Sequence, residues 1–160
     1  YCQTKALQAV ELTNEYVVKN HWELCMFATL FFGVLDPDTG LLTYINGGHE
    51  PLFLVNNSGI KQALKPTAPA VGMFPNVKFA IEQVQFEVGD TLFAYTDGVT
   101  ECKNPHGELF TPQRLCSLLE KPSTSACDLL TRIETELFAH INQASQFDDI
   151  TMLAVQRLKH

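Results

Sequence analysis

The segment Asp36-Pro37-Asp38-Thr39-Gly40 separates an apolar run at 26–35 from a second run at 41–46, and so short a connection restricts how the two can pair. Proline presets φ and glycine supplies a left-handed position, so these residues read as a tight turn. Strands joined this closely pair antiparallel, because a parallel pair needs a crossover of about a dozen residues or more. The pattern then repeats. Gly47-Gly48-His49-Glu50-Pro51 breaks the second run, and a new one at 52–55 turns back through Asn56-Asn57-Ser58-Gly59. Hairpins rather than strand-helix-strand units dominate this half of the chain, which argues for antiparallel sheets.

The flanking segments change period. Leu7, Val10 and Val17 recur near helical spacing and predict a helix over 4–19, with Thr4 as its N-cap. The aromatic-rich run at 26–35 reads as a buried strand. After a proline-bearing loop at 66–75, Val77, Phe79 and Ile81 alternate, and Val84, Phe86 and Val88 alternate on the other parity. A one-residue slip exchanges sheet faces, so a bulge is expected near Glu82-Gln83. Gly89-Asp90 turns the chain into a short buried strand at 91–95. Thr111-Pro112 opens a helix to about 120, with threonine as cap and proline in the first turn. Ser125 caps a longer helix through Leu129, Ile133 and Leu137, and 150–156 reads as a last buried strand. The expected fold is α+β, an antiparallel β-sandwich flanked by helices, in one domain over 1–160.

Composition narrows the function. A chain of 160 residues with 46% hydrophobic residues can bury a real core. Lys and Arg number 11 against 18 Asp and Glu, for a net charge of −7, and no basic run offers the attraction that drives nucleic-acid binding. The acidic balance suits carboxylates gathered around a cation and an ordinary solvated surface alike. No apolar stretch is long enough to span a bilayer and no export signal opens the chain, so no membrane segment is expected. The cysteines Cys2, Cys25, Cys102, Cys116 and Cys127 are odd in number and form no CxxC pair, which points to a reducing cytoplasm. Cys102 and His106 share a loop but do not by themselves make a zinc site.

The chemistry concentrates in two acidic motifs. Asp97 stands where a buried strand ends in a glycine-containing loop, and Asp148 and Asp149 stand just before another strand begins. If those strands pair antiparallel, both loops fall at one end of one sheet. Converging carboxylates there suit a hard divalent cation, which prefers oxygen ligands. Gly98 would let the backbone turn tightly beneath it. Each motif alone is weak, since Asp-Gly is a common turn and Asp-Asp before a strand is often a solvated cap.

Together, Tyr95-Thr96-Asp97-Gly98-Val99-Thr100-Glu101 and Phe147-Asp148-Asp149-Ile150-Thr151 resemble the paired C-terminal signature of PPM-type (type 2C-like) metal-dependent Ser/Thr protein phosphatases, in the SpoIIE/RsbU branch. The likeness continues through Phe27-Ala28-Thr29-Leu30-Phe31, Leu35-Asp36-Pro37-Asp38-Thr39-Gly40, Asn46-Gly47-Gly48-His49-Glu50-Pro51, Gly107-Glu108-Leu109-Phe110 and Arg114-Leu115, in the right order over nearly the whole chain. It implies that Asp97 and Asp148 are catalytic metal ligands, that Gly98 shapes their loop, and that Asp149 lies beside them as a second carboxylate ligand or as an outer group. It also implies paired Mn²⁺ or Mg²⁺ ions that activate water for in-line attack on phosphoserine or phosphothreonine, with no covalent phosphoenzyme. No cysteine here lies in a Cys-x5-Arg phosphate loop. His49 reads either as a proton donor to the leaving oxygen or as a residue holding a glycine turn, and Glu101 as an outer-shell group or a solvated one.

The family's first metal motif, Asp-x-x-Gly-x-Gly, is absent from the sequence, so the chain is expected to be the C-terminal portion of the domain, without its N-terminal part. The resemblance further implies a phosphorylated STAS-type anti-sigma-factor antagonist as substrate, and a sensory or response-regulator domain upstream. Apolar faces left open by absent strands would favour self-association as a homo-oligomer. The alternative is a non-catalytic interaction module that keeps the fold.

Overall fold

The computed structural model describes residues 2–146 and 148–159, with side chains from residue 8 onward. Phe147 of the second acidic motif lies outside the described residues. By contacts the chain divides into two compact units, residues 1–51 with 65–86 and residues 52–64 with 87–160.

The first unit opens with helix α1, Cys2–His21, followed by strands β1, Leu30–Leu35, and β2, Leu41–Gly47. The helix already runs at Cys2, so Thr4 lies inside it rather than capping it. The turn between β1 and β2 is built as its sequence dictates. The Asp36 carboxylate accepts from the amides of Asp38 and Thr39, and Gly40 takes φ 75°. β1 and β2 pair antiparallel, Leu30 opposite Gly47 through Leu35 opposite Leu42. The third strand of this sheet is Glu82–Gln85, which pairs with the other side of β2. Val10, Ile45, Val71 and Phe79 form the buried core of this unit.

Two sequence expectations are corrected here. The run at 26–35 is not a buried strand: pairing as a strand begins at Leu30, Phe27 is 60% exposed, and Ala28 makes only an isolated bridge to Val71. β1 is an edge strand, so its apolar composition does not translate into burial. No bulge occurs near Glu82-Gln83, because residues 77–81 are not a strand; the parity change marks the start of the strand.

In the second unit a four-stranded antiparallel sheet carries the functional motifs. In chain order β3 is Leu52–Asn56, β4 is Gly59–Leu64, β5 is the Glu82–Gln85 strand already described, β6 is Thr91–Tyr95 and β7 is Met152–Gln156. The order across this sheet is β4-β3-β6-β7, so β6 is central and β7 an edge. The register irregularity of the molecule falls here, between Leu54 and Val55 of β3. β6 is launched by a turn in which Lys61 pairs with both Glu87 and Asp90 at 2.8 Å and Gly89 takes φ 93°. Helix α2, Pro112–Leu119, is capped by Thr111, and α3, Ala126–Ile141, by Ser125, each hydroxyl accepting an amide of the first turn. Phe53, Val55, Phe93 and Tyr95 pack with Leu115, Leu119, Leu129, Ile133 and Leu137 into one core.

β7 corrects a further expectation. It is half exposed rather than buried, with Leu153 58% and Val155 43% accessible, because an edge strand is covered on its α3 side alone. Among the described residues no helix is long and apolar enough to cross a membrane.

Candidate metal and phosphate site

Tyr95 of β6 stands opposite Met152 of β7, so the chain leaving β6 and the chain entering β7 meet at the same end of the sheet. Thr96 continues the ladder by donating its amide to the Thr151 carbonyl at 3.1 Å. Its hydroxyl then joins the two loops, donating to the Asp149 carbonyl at 2.9 Å and accepting from the Thr151 amide at 3.0 Å. A single side chain thereby sets the Asp97 turn against the Asp148-Asp149 segment.

From Asp97 the chain closes into a 3-10 turn, Asp97–Val99. The Asp97 carbonyl accepts from the amides of Thr100 and Glu101, each at 2.9 Å, and its carboxylate accepts from the Gly98 amide at 2.9 Å. Gly98 is buried against the partner loop. A Cβ built on it would collide with the Asp149 carbonyl oxygen and stand 3.0 Å from the carbonyl carbon, so only glycine permits this approach. In the second loop, Asp148 accepts from the Asp149 amide at 2.7 Å, and Gln146 donates to the Asp148 carbonyl at 2.8 Å.

Asp97, Asp148 and Asp149 are all exposed. Among the described residues no lysine, arginine or histidine pairs with any of them. Oxygen donors without a protein counter-cation are the right chemistry for Mn²⁺ or Mg²⁺. The expected convergence of carboxylates is corrected here: the two loops share one sheet end, but among the described residues no group of three or more His, Cys, Asp or Glu, these three aspartates included, is arranged to hold a metal ion.

The other candidates separate clearly. His49 belongs to the first unit, where its amide donates to the Asn46 side chain at 2.9 Å and its ring Nδ1 meets the Glu50 carbonyl at 3.0 Å. That is the geometry of a residue holding its own glycine turn, where Gly48 at φ 70° approaches the Ala70 backbone. Glu101 is exposed and joined to Asp97 through its amide. Cys102 is buried, its thiol donating to the Val99 carbonyl, and burial pushes its pKa up; His106 of the same loop is exposed. Sequence reasoning missed Thr96 as the residue lacing the loops, although its place between the last strand residue and Asp97 was the available signal.

The profile described as Stage II sporulation protein E (SpoIIE) matches residues 3–158. Protein IcfG of Synechocystis sp. is 50% identical over 151 residues, covering 94% of this chain and 24% of that protein. The phosphoserine phosphatase RsbU of Bacillus subtilis is 26% identical over 142 residues, covering 88% of this chain and 42% of that protein. The SiaA-PP2C domain of Pseudomonas aeruginosa superposes with a TM-score of 0.76 at 20% identity, over 92% of this chain and 58% of that one. This likeness bears out the expected class of helices with antiparallel sheets, as found in PP2C phosphatase domains. The chain spans less than half the length of either curated relative.

Proposed function

The chain belongs to the Stage II sporulation protein E (SpoIIE) family, in its RsbU-like branch of PPM-type phosphatase domains, and on that premise we propose that it is the part of a metal-dependent Ser/Thr protein phosphatase carrying the Asp97 and Asp148 ligands. The observation that carries this reading is the lacing of the two acidic loops by Thr96 over Gly98. It brings Asp97 and the Asp148-Asp149 segment to one sheet end, and among the described residues no cationic side chain pairs with them.

Asp97 and Asp148 would hold divalent ions, with Asp149 as a neighbouring carboxylate. Mn²⁺ or Mg²⁺, when bound, supplies an activated water and neutralises phosphoryl charge. The residues of this chain do the positioning. Thr96 fixes the spacing of the two loops, Gly98 allows their backbones to touch, and the Asp97 carbonyl ties the turn to Thr100 and Glu101. The substrate in this reading is a phosphoserine or phosphothreonine protein of the STAS-type anti-sigma-factor antagonist class. A sensory or response-regulator domain upstream would control the site in a cytoplasmic signalling circuit.

Because the three carboxylates do not by themselves form a metal-holding group among the described residues, the 160-residue chain alone should turn over little or no substrate. The test is Mn²⁺-dependent hydrolysis of a phosphoserine protein by the isolated chain, by a version extended upstream through an Asp-x-x-Gly-x-Gly segment, and by its Asp97→Asn and Asp148→Asn variants. The extended protein should be active, with both variants and the isolated chain silent. An inactive extended protein that still binds the phosphoprotein would favour the interaction-module reading. Robust turnover by the isolated chain, or full activity in Asp97→Asn, would sink the proposal.

A further inference from the structure

His140 lies on the last turn of α3, is nine-tenths buried, and has no part in the acidic loops. Both of its ring nitrogens are engaged. Nδ1 is 2.8 Å from Nη1 of Arg114 on α2, and Nε2 is 3.0 Å from the carbonyl oxygen of Glu108. A guanidinium can only donate and a carbonyl can only accept, so the contacts fix the proton on Nε2. The ring also meets Phe110 edge-on at 5.4 Å, and the Arg114 guanidinium lies 4.8 Å over the face of the same Phe110. Arg114 is further placed by Glu136 at 3.6 Å, and the Glu108 carboxylate is turned away to Asn104. An imidazole in this position joins α2, α3 and the 108–110 segment through directional bonds, which apolar packing alone does not require.

The 108–110 segment matters because of where it leads. Residues 100–111 form a small hairpin on the Asp97 turn: Phe110 donates to Cys102, Thr111 donates to Thr100, and Lys103 bridges Leu109. Thr100 in turn donates to the Asp97 carbonyl. On the other side, α3 ends at Ile141, and Asp148 follows seven residues later in the sequence. His140 therefore stands where the hairpin rising from one acidic loop is fastened to the helix that leads into the other.

We propose that His140, in a single Nε2–H tautomer, is a positioning residue for the acidic site: it clamps the 100–111 hairpin to α3 and so holds the Asp97 turn in register with the Asp148-Asp149 segment. The proposal rests on the phosphatase reading for its consequence and on the bonding geometry for its existence, and the two are separable by experiment. Groups hydrogen-bonded directly to metal ligands set affinity by about 10–100-fold in other sites, and His140 reaches the Asp97 turn through the 100–111 hairpin.

The test uses the upstream-extended protein of the proposed reading, isotope-labelled, with MnCl₂ as probe and a phosphoserine protein as substrate. Long-range proton–nitrogen correlation should show His140 as one Nε2–H tautomer with an unprotonated Nδ1. His140→Ala should lose amide-exchange protection at 108–111 and at 97–101, and should raise the Mn²⁺ concentration for half-maximal hydrolysis about tenfold or more. His140→Gln can donate to Glu108 and accept from Arg114 without an imidazole, so it should recover most of both losses. An Nδ1–H tautomer, an Ala variant with parental protection and Mn²⁺ response, or a Gln variant as impaired as Ala would each overturn the clamp. A wild-type protein with no Mn²⁺ response at all would remove the phosphatase reading, while the tautomer and exchange results still decide whether the clamp exists.

Discussion

Gly98 meets the Asp149 carbonyl so closely that a single methyl group cannot be added without moving one loop. Gly98→Ala should therefore lower stability by about 1–3 kcal/mol, the cost of overpacking a fitted contact, read as a shift of the urea midpoint at unchanged slope. An unchanged midpoint would mean that the loops are not in contact. The cysteines give a second check at this scale. Burial raises the pKa of both Cys102 and Cys116, which lowers the fraction of reactive thiolate, whereas Cys25 and Cys127 are exposed. Peptide mapping after brief alkylation of the native protein at pH 8 should find Cys25 and Cys127 modified and Cys102 protected, with the difference abolished in denaturant. Asp97, Gly98, Asp148 and Asp149 could be picked out from the sequence because they punctuate apolar strands. Thr96 and His140 could not, since a hydroxyl at a strand end and a histidine within an amphipathic helix disturb no periodicity; their partners are distant in sequence and emerge only from the pairing of β6 with β7 and of α3 with the loop at Glu108.

Among the elements, the turns were the most legible feature, because Asp36, Gly40 and Gly59 act through local hydrogen bonds and positive φ that need no tertiary information. The caps of α2 and α3 were equally readable, since Thr111 and Ser125 bond amides of their own first turn, whereas Thr4 lies inside α1. Burial was less so. Apolar alternation records which face of a strand is greasy, but not whether a neighbour covers it, and both β1 and β7 proved to be edges with exposed apolar side chains. Leu153 and Val155 on β7 are the sharpest case, an apolar pair on the face of an edge strand that α3 leaves open. The isolated 160-residue chain should therefore self-associate with concentration in sedimentation velocity, and Leu153→Lys with Val155→Lys should restore the monomer. A wild-type chain that stays monomeric throughout would contradict this.

For the molecule as a whole, the sequence carried the class of fold and the meeting of the two acidic segments at one end of a sheet, because both follow from strand order and from where the acidic residues interrupt it. It did not carry the full coordination sphere. Asp97, Asp148 and Asp149 offer oxygen donors, yet among the described residues neither these three together nor any other three His, Cys, Asp or Glu are placed to hold a metal ion. The chain also spans 24% of IcfG and 42% of RsbU, and the proposed reading draws the remaining donors from a longer protein. The central claim is that Asp97 and Asp148 hold a divalent cation, and the most direct measurement is a Mn²⁺ titration of that longer protein followed by electron paramagnetic resonance, where bound ion loses the six-line signal of free Mn²⁺. The parent should bind Mn²⁺, and Asp97→Asn and Asp148→Asn, each removing a ligand charge while keeping the side-chain size, should each weaken binding by about tenfold or more. Binding in both variants as tight as in the parent would contradict the account.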